Sequence, residues 1–256
     1  MMKELRLKKI KWHLKSFLIC VFCFSVLACA KQEDRLCFKG AGEYDEIYVP
    51  LDSIRSFHLN KNIKYRIYQD YGYKAIIKGS DHLIGNIELE NRDNVLYVTN
   101  QNKCEFLRNA DEIVEVELHY PYLKDFYIDA TDSVVFENKV ESQVFRVEMR
   151  NGGGSLVADV DVKIISMVVS AGAGDFTLTG KAKEAELKIQ NNATADAIGF
   201  RSVYTYIYQN STADLYINLD NSSALIVIDG TGDVYYNHNA GNIESHGDGS
   251  GQIIKL

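Results

Sequence analysis

Proline is nearly absent from this chain: only Pro50 and Pro121 occur in 256 residues. Proline cannot donate to a strand ladder, so its scarcity suits long uninterrupted sheets. No convincing amphipathic helix follows residue 30. The segment closest to one, Lys181-Ala-Lys-Glu-Ala-Glu-Leu187, sits among strand-like neighbours and reads as strand. Long apolar runs are also missing. The one run, residues 16–28, is too short to cross a bilayer, which takes about 20 residues. No Gly-x-Ser-x-Gly elbow and no phosphate-binding loop occurs. His58, His82, His119, His238 and His246 show none of the spacings of zinc sites. Neither a catalytic set, nor a metal site, nor a cofactor is expected.

Basic charge is scarce outside the N-terminus. Residues 1–28 hold six of the 28 Lys/Arg and one of the 35 Asp/Glu. The remainder has 22 basic and 34 acidic side chains, a formal charge of −12. Such a surface repels nucleic acid, because phosphate contacts dominate that affinity. It also repels an anionic membrane, so a membrane link should be covalent.

What is present begins with an address. A positive stretch to Lys15, an apolar run and small residues form a secretory signal over 1–28. The run ends Val26-Leu27-Ala28-Cys29, which resembles the lipobox of bacterial lipoproteins. That resemblance implies cleavage before Cys29 and lipid on its thiol. Several acyl chains on one residue anchor stably where a single chain does not. Ala30-Lys31-Gln32-Glu33-Asp34 resembles the acidic surface-export signals of some Gram-negative lipoproteins. Residues 29–43 then form a lipidated tether. The expected place is the outer membrane, facing outward, with a periplasmic orientation as the alternative. Cys20 and Cys23 leave with the signal, so Cys37 and Cys104 remain in an oxidising compartment. They form either a bridge or two separate thiols.

From Tyr44 to Leu256 the chain reads as a single all-β domain. Ile63–Tyr68, Tyr73–Lys78 and Glu112–His119 alternate, and Asn91–Asn94 separates two strands as a turn. The second half repeats. Stepping from Gly153 to Ala173, Ala193, Thr212, Thr231 and Ser250 gives intervals of 20, 20, 19, 19 and 19 residues. A fixed period near twenty means stacked units that cannot bury their apolar sides alone. Parallel coils place like over like, and their corners favour Gly and Asn. The expected fold is a parallel β-helix or β-roll with 19–20 residues per coil; an antiparallel β-sandwich is the alternative.

The entry strand Ile54–Asn60, Asp81-His-Leu-Ile84, Tyr120-Pro-Tyr-Leu-Lys124, the Gly-rich corners, Asp229-Gly-Thr-Gly-Asp-Val-Tyr-Tyr236 and Gly249-Ser-Gly-Gln-Ile253 together resemble the auto-transporter adhesin head family. The resemblance spans about residues 45–256. It implies a β-helical fold, no established catalytic residues and an adhesin-like role.

Tyr204, Tyr206 and Tyr208 alternate and so share one sheet face. Facing out, they make a platform for sugar rings or a surface protein; facing in, they are core. Matching Gln190 to Gln209 sets them over Ala185, Leu187 and Ile189 and favours core. The gathered expectation is a non-enzymatic binding module for a glycan or matrix partner, tied to the membrane by lipid. The alternatives are a polysaccharide-active enzyme, drawing on Asp125, Asp129, Asp132, Glu148, Asp159, Asp161, Asp175 and Glu186, and an envelope structural protein. Cys29→Ala should abolish incorporation of an alkyne-labelled fatty acid and release the protein from the membrane fraction; label retained by the variant would refute the lipobox reading.

Overall fold

The computed structural model describes residues 42–60, 62–103, 113–237 and 239–256. The expected signal, most of the tether, Cys29, Cys37 and Cys104 lie outside them. The described chain is a β-solenoid of about six turns with parallel ladders, as the repeat predicts. It is not the antiparallel sandwich.

Each turn has a front face, a short side and a back face. The C-terminal coils show this best. β11 (Ser155–Val169) and β12 (Asp175–Asn191) each run unbroken along the front, across the short side and down the back. The segment Lys181–Leu187 lies inside β12. Later coils split the path into front strands β13 (Thr194–Ala197), β15 (Leu215–Asn218), β17 (Val234–Asn237) and β19 (Ile253–Lys255). The back carries β14 (Phe200–Ser211), β16 (Ser223–Ile228) and β18 (Asn242–His246).

Stacking puts like side chains in columns. The inward front column runs Val134, Leu156, Phe176, Ala195, Leu215, Val234, Ile253. The inward back column runs Leu96, Phe57, Phe126, Val147, Met167, Leu187, Ile207, Ile226. The members from Val134 to Val234 and from Leu96 to Ile226 are all buried. The two columns face each other across one core. Each coil therefore covers the apolar edge of the next, which an isolated unit leaves in water.

Two corrections to the repeat emerge. Along the front the steps are 20, 19, 20, 19 and 19, since Ser155 pairs Asp175, Asp175 pairs Thr194 and Ala195 pairs Leu215. The shortened coil thus comes one turn earlier than the sequence spacing places it. On the back, β12 and β14 pair at an offset of 20, with Gln190 opposite Asn210 and not Gln209. Corner residues and strand residues take up the missing position at different points of the turn, so one period does not describe both faces.

The N-terminal part departs from simple winding. β2 (Ser56–Leu59) lies between β6 (Val95–Asn100) and β8 (Asp125–Ile128). β3 (Ile63–Tyr68) lies between β7 (Val114–His119) and β9 (Val134–Phe136). The first coil in sequence is therefore inserted between two later ones. Phe57 stacks flat on Phe126, with centroids 4.6 Å apart. Phe136 meets Phe126 and Phe145 edge-on, each at 5.1 Å. Antiparallel strands close this end. β4 (Lys74–Ser80) joins β1 (Tyr44–Pro50) to β7, and β5 (Ile87–Arg92) pairs β6. A single helical turn, α1 (Asp81–Ile84), carries Leu83 and Ile84 into the core. Pro50 ends an edge strand, where a missing N–H is tolerated.

The corners are tight. A Cβ on Gly232 would sit 2.0 Å from the Ala213 carbonyl oxygen of the coil below, and one on Gly251 2.1 Å from that of Gly232. Gly153, by contrast, has nothing within 4 Å of its Cβ position. Gly232→Val should lower stability by about 1–3 kcal/mol through this clash, while Gly153→Ala stays within about 0.5 kcal/mol of the parent. Urea unfolding checks both; equal effects at the two glycines would contradict the packed-corner account.

Candidate functional site

The back face carries outward aromatic side chains on adjacent coils. Parallel pairing at 20 residues sets Tyr204, Tyr206 and Tyr208 opposite Glu184, Glu186 and Lys188. Those are outward positions, so the three tyrosines face solvent. The core arrangement favoured by the Gln190–Gln209 match is corrected: Thr205, Ile207 and Gln209 face inward and are fully buried. Tyr204 is 42% exposed, and Tyr206 and Tyr208 are half-buried. On their far side stand Ser223, Leu225 and Val227 of the next coil.

Charged neighbours frame the rings. The Lys188 ammonium lies 5.5 Å from the Tyr206 centroid and 2.6 Å from a Glu186 carboxylate oxygen. Ser166 donates to the other Glu186 oxygen at 2.5 Å. Burial pushes the Glu186 carboxyl up, but hydrogen bonds from Lys188 and Ser166 outweigh it and hold it below the ordinary value. Burial and the neighbouring Asp229 push the Tyr208 phenol up. The platform therefore keeps the Tyr208 ring neutral beside an ionised Glu186 carboxylate at neutral pH.

A second aromatic row, which the sequence reading missed, lies on the same face nearer the N-terminal end. Tyr97, His58 and Tyr127 are ring neighbours, with centroids 4.8 and 4.6 Å apart and planes tilted by 40° and 41°. Arg92 caps one end, 5.5 Å from the Tyr97 ring, and Arg150 the other, 4.9 Å from Tyr127. The signal was in the sequence: Leu96-Tyr97-Val98, Phe57-His58-Leu59 and Phe126-Tyr127-Ile128 share one apolar–aromatic–apolar pattern. It stayed hidden because the three strands are not consecutive in the chain.

The carboxylates named from sequence are divided: Asp125 and Glu148 line one small back-face pocket, with Glu186 bonded to Ser166 at its edge, and the others lie elsewhere. Asp125, Glu148 and Glu186 face out from the back; Asp159 faces out from the front. Most hold a surface cation: Asp125 with Arg146 at 3.1 Å, Glu148 with Arg150 at 2.5 Å, Asp161 with Lys181 at 3.1 Å and Asp159 with Lys139 at 3.5 Å. Asp129 and Asp132 lie in the corner before β9, and Asp175 opens β12, where burial raises its pKa. The Gly-Asp corners serve the ladder: Asp214 accepts from the Asp233 backbone N–H, and Asp233 from that of Gln252, both at 2.8 Å. Among the described residues no three His, Cys, Asp or Glu are grouped to hold a metal. His238 lies outside those residues.

The geometry defines a class: a parallel β-solenoid, closed by antiparallel strands at its N-terminal end, with an aromatic back face. Residues 54–240 match the family model described as putative auto-transporter adhesin, head GIN domain, and the chain belongs to that family. Its fold is similar to a solved putative adhesin from Bacteroides fragilis, at TM-score 0.73 and 18% identity over 84% of this chain and 97% of the other. A putative adhesin from Parabacteroides merdae aligns at TM-score 0.58 and 17% identity, covering 85% and 98%. A putative lipid binding protein from Parabacteroides distasonis aligns at TM-score 0.58 and 13% identity, again over 85% and 98%. No curated protein matches the chain.

The aromatic row carries a pH signature. Burial, and then the Arg150 charge, lower the His58 pKa. The folded state therefore binds the His58 proton less readily than the unfolded chain does. That contribution to stability is complete above about pH 6.5, the unfolded value, and is lost as pH falls through the folded value. Asp70, Glu90, Glu148 and Glu186 are also depressed, but their losses set in only as pH falls into the unfolded carboxylate range, about 4 to 4.5. The urea midpoint should fall between pH 7 and 5, and His58→Phe should flatten that window. An unchanged slope in the variant would rule His58 out as its source.

Proposed function

We propose that this protein is a lipid-anchored, surface-displayed adhesin-like module that binds without catalysis through its back face. The observation that carries the reading is the outward orientation of Tyr204, Tyr206 and Tyr208 on a parallel sheet. Aromatic rings offer flat apolar area with a polar edge, which suits the C–H face of a sugar or a polar protein surface. Glu184, Glu186, Lys188 and Ser223 supply hydrogen-bonding groups along the same rows. A glycan or matrix partner at the cell surface fits this chemistry; nucleic acid does not, given the acidic surface. Anchoring at Cys29 would present the solenoid to the outside of the outer membrane. Family membership and the fold of the adhesin neighbours support the adhesin-like part of the reading.

The platform reading separates from a packing role through one variant. Replacing Tyr204, Tyr206 and Tyr208 together by Ser should leave the far-UV spectrum intact and cost no more than about 1 kcal/mol per site, the span of strand preferences. The same variant should lose binding on a glycan and matrix-protein array that the parent chain scores on. Unfolding of the triple variant, or unchanged array binding, would overturn the platform. Cleavage of an acidic polysaccharide, lost on substituting Glu148 or Glu186, would overturn the non-enzymatic reading.

A further inference from the structure

A second feature has no part in the back-face platform. Where the front face passes into the short side, a cleft of about 480 Å³ is lined by Gln69, Asp70, Tyr71, Pro121, Asn138, Lys139 and Glu141. Its size falls in the range of about 300–1,000 Å³ usual for small-molecule sites.

The cleft is built, not incidental. Gln69 ties three segments together: its amide N–H groups donate to the Pro121 and Glu141 carbonyls at 3.0 and 2.9 Å, and its amide oxygen accepts from the Glu141 backbone at 2.6 Å. Asn138 pairs both ways with the Gln69 backbone, each bond 2.8 Å. The loop carrying Tyr71 is pinned as well. Asp70 accepts from the Gly72 N–H at 2.7 Å and pairs with His119 Nδ1 at 2.7 Å. His119 is itself held by Tyr68, stacked on it at 4.6 Å. Burial pushes the Asp70 carboxyl up, but the bonds from His119 and Gly72 outweigh this and keep it ionised.

On this fixed loop Tyr71 is 97% exposed. A tyrosine that packs against nothing, on a loop held by a part-buried histidine–carboxylate pair, contributes little to the fold. The lining names its ligand. It has one ring, one proline, a carboxylate at Glu141, an ammonium at Lys139 that also reaches the Asp159 carboxylate at 3.5 Å, and amides already committed to the floor. It holds no aliphatic side chain, so it offers no pocket for an apolar peptide residue. Two carboxylates against one ammonium disfavour an anion.

We propose that this cleft is a saccharide site separate from the back face, which takes a neutral hexose unit stacked on Tyr71 with its hydroxyls hydrogen-bonded to Glu141 and Lys139. The inference stands whether or not the platform binds. Its test is calorimetric titration of the full chain with neutral glucose-, galactose- and mannose-based di- and trisaccharides, alongside uronate-containing counterparts. At least one neutral saccharide should bind. Tyr71→Ala, which removes a ring exposed to water, should fold as the parent does and weaken binding about three- to tenfold, the worth of one stacked ring. Glu141→Gln should weaken it further than Tyr206→Ser, which should leave it unchanged. No binding by any neutral saccharide at millimolar concentration would overturn the proposal. So would parental affinity in Tyr71→Ala, loss of affinity in Tyr206→Ser alone, or tighter binding of the uronate series.

Discussion

Everything in this molecule depends on the vertical register of one coil over the next. Parallel strands side by side exchange evenly spaced hydrogen bonds, and a slip of one residue turns every side chain to the other face. Here the corners reinforce the register. Gly232 and Gly251 each lie so close to the carbonyl of the coil below that no side chain fits. Asp214 and Asp233 reach across coils to the next backbone N–H. Those contacts hold the 19-residue step of the last coils. Between β12 and β14 the ladder steps by 20, with Ser211 donating to the Asn191 carbonyl at 3.1 Å, and that offset sets the outward face of Tyr204, Tyr206 and Tyr208.

The core changes character along the stack. Near the N-terminal end it is aromatic: Phe126, Phe136 and Phe145 are in mutual contact, and Phe57 stacks on Phe126. In later coils it narrows: Ala193, Ala195 and Ala197 are buried beside polar Thr205, Gln209, Ser211 and Ser222. Those polar groups are satisfied on the spot. Gln209 bonds the Ala213 carbonyl and the Ser211 N–H, both at 2.7 Å, and Ser211 donates to the Ala193 carbonyl at 2.6 Å. A buried polar group so paired costs little and fixes geometry. The tyrosine-bearing coils are thus held by directional bonds as well as by apolar area, which keeps an outer aromatic row in a fixed plane.

Much of this architecture is legible in the sequence, and the exceptions have physical causes. The twenty-residue period marks the coils from Gly153 onward, because Gly and Asn recur where corners demand them. The Lys181–Leu187 segment reads correctly as strand. The order of the first coils is not legible. β2 and β3 slot between strands from later in the chain, and no period links Phe57 to Leu96 and Phe126. The aromatic row Tyr97–His58–Tyr127 was missed for the same reason. The tyrosine stripe was found, but its direction was misjudged by one residue. Gln190 and Gln209 are the same residue type, yet Gln209 is a buried corner support and Gln190 sits on the outer rim. The cleft at Tyr71 joins segments seventy residues apart and leaves no local mark.

The most direct measurement is of the register itself. Adjacent parallel strands bring paired Cα atoms about 4.8 Å apart, within disulfide range. In a chain carrying Lys188→Cys and Tyr208→Cys, mild oxidation should give a bridged peptide by mass spectrometry. Lys188→Cys with Ile207→Cys should give none, because Ile207 points into the core. A bridge from the 188–207 pair and none from 188–208 would mean a nineteen-residue step at this point, tyrosines in the interior and no outer platform.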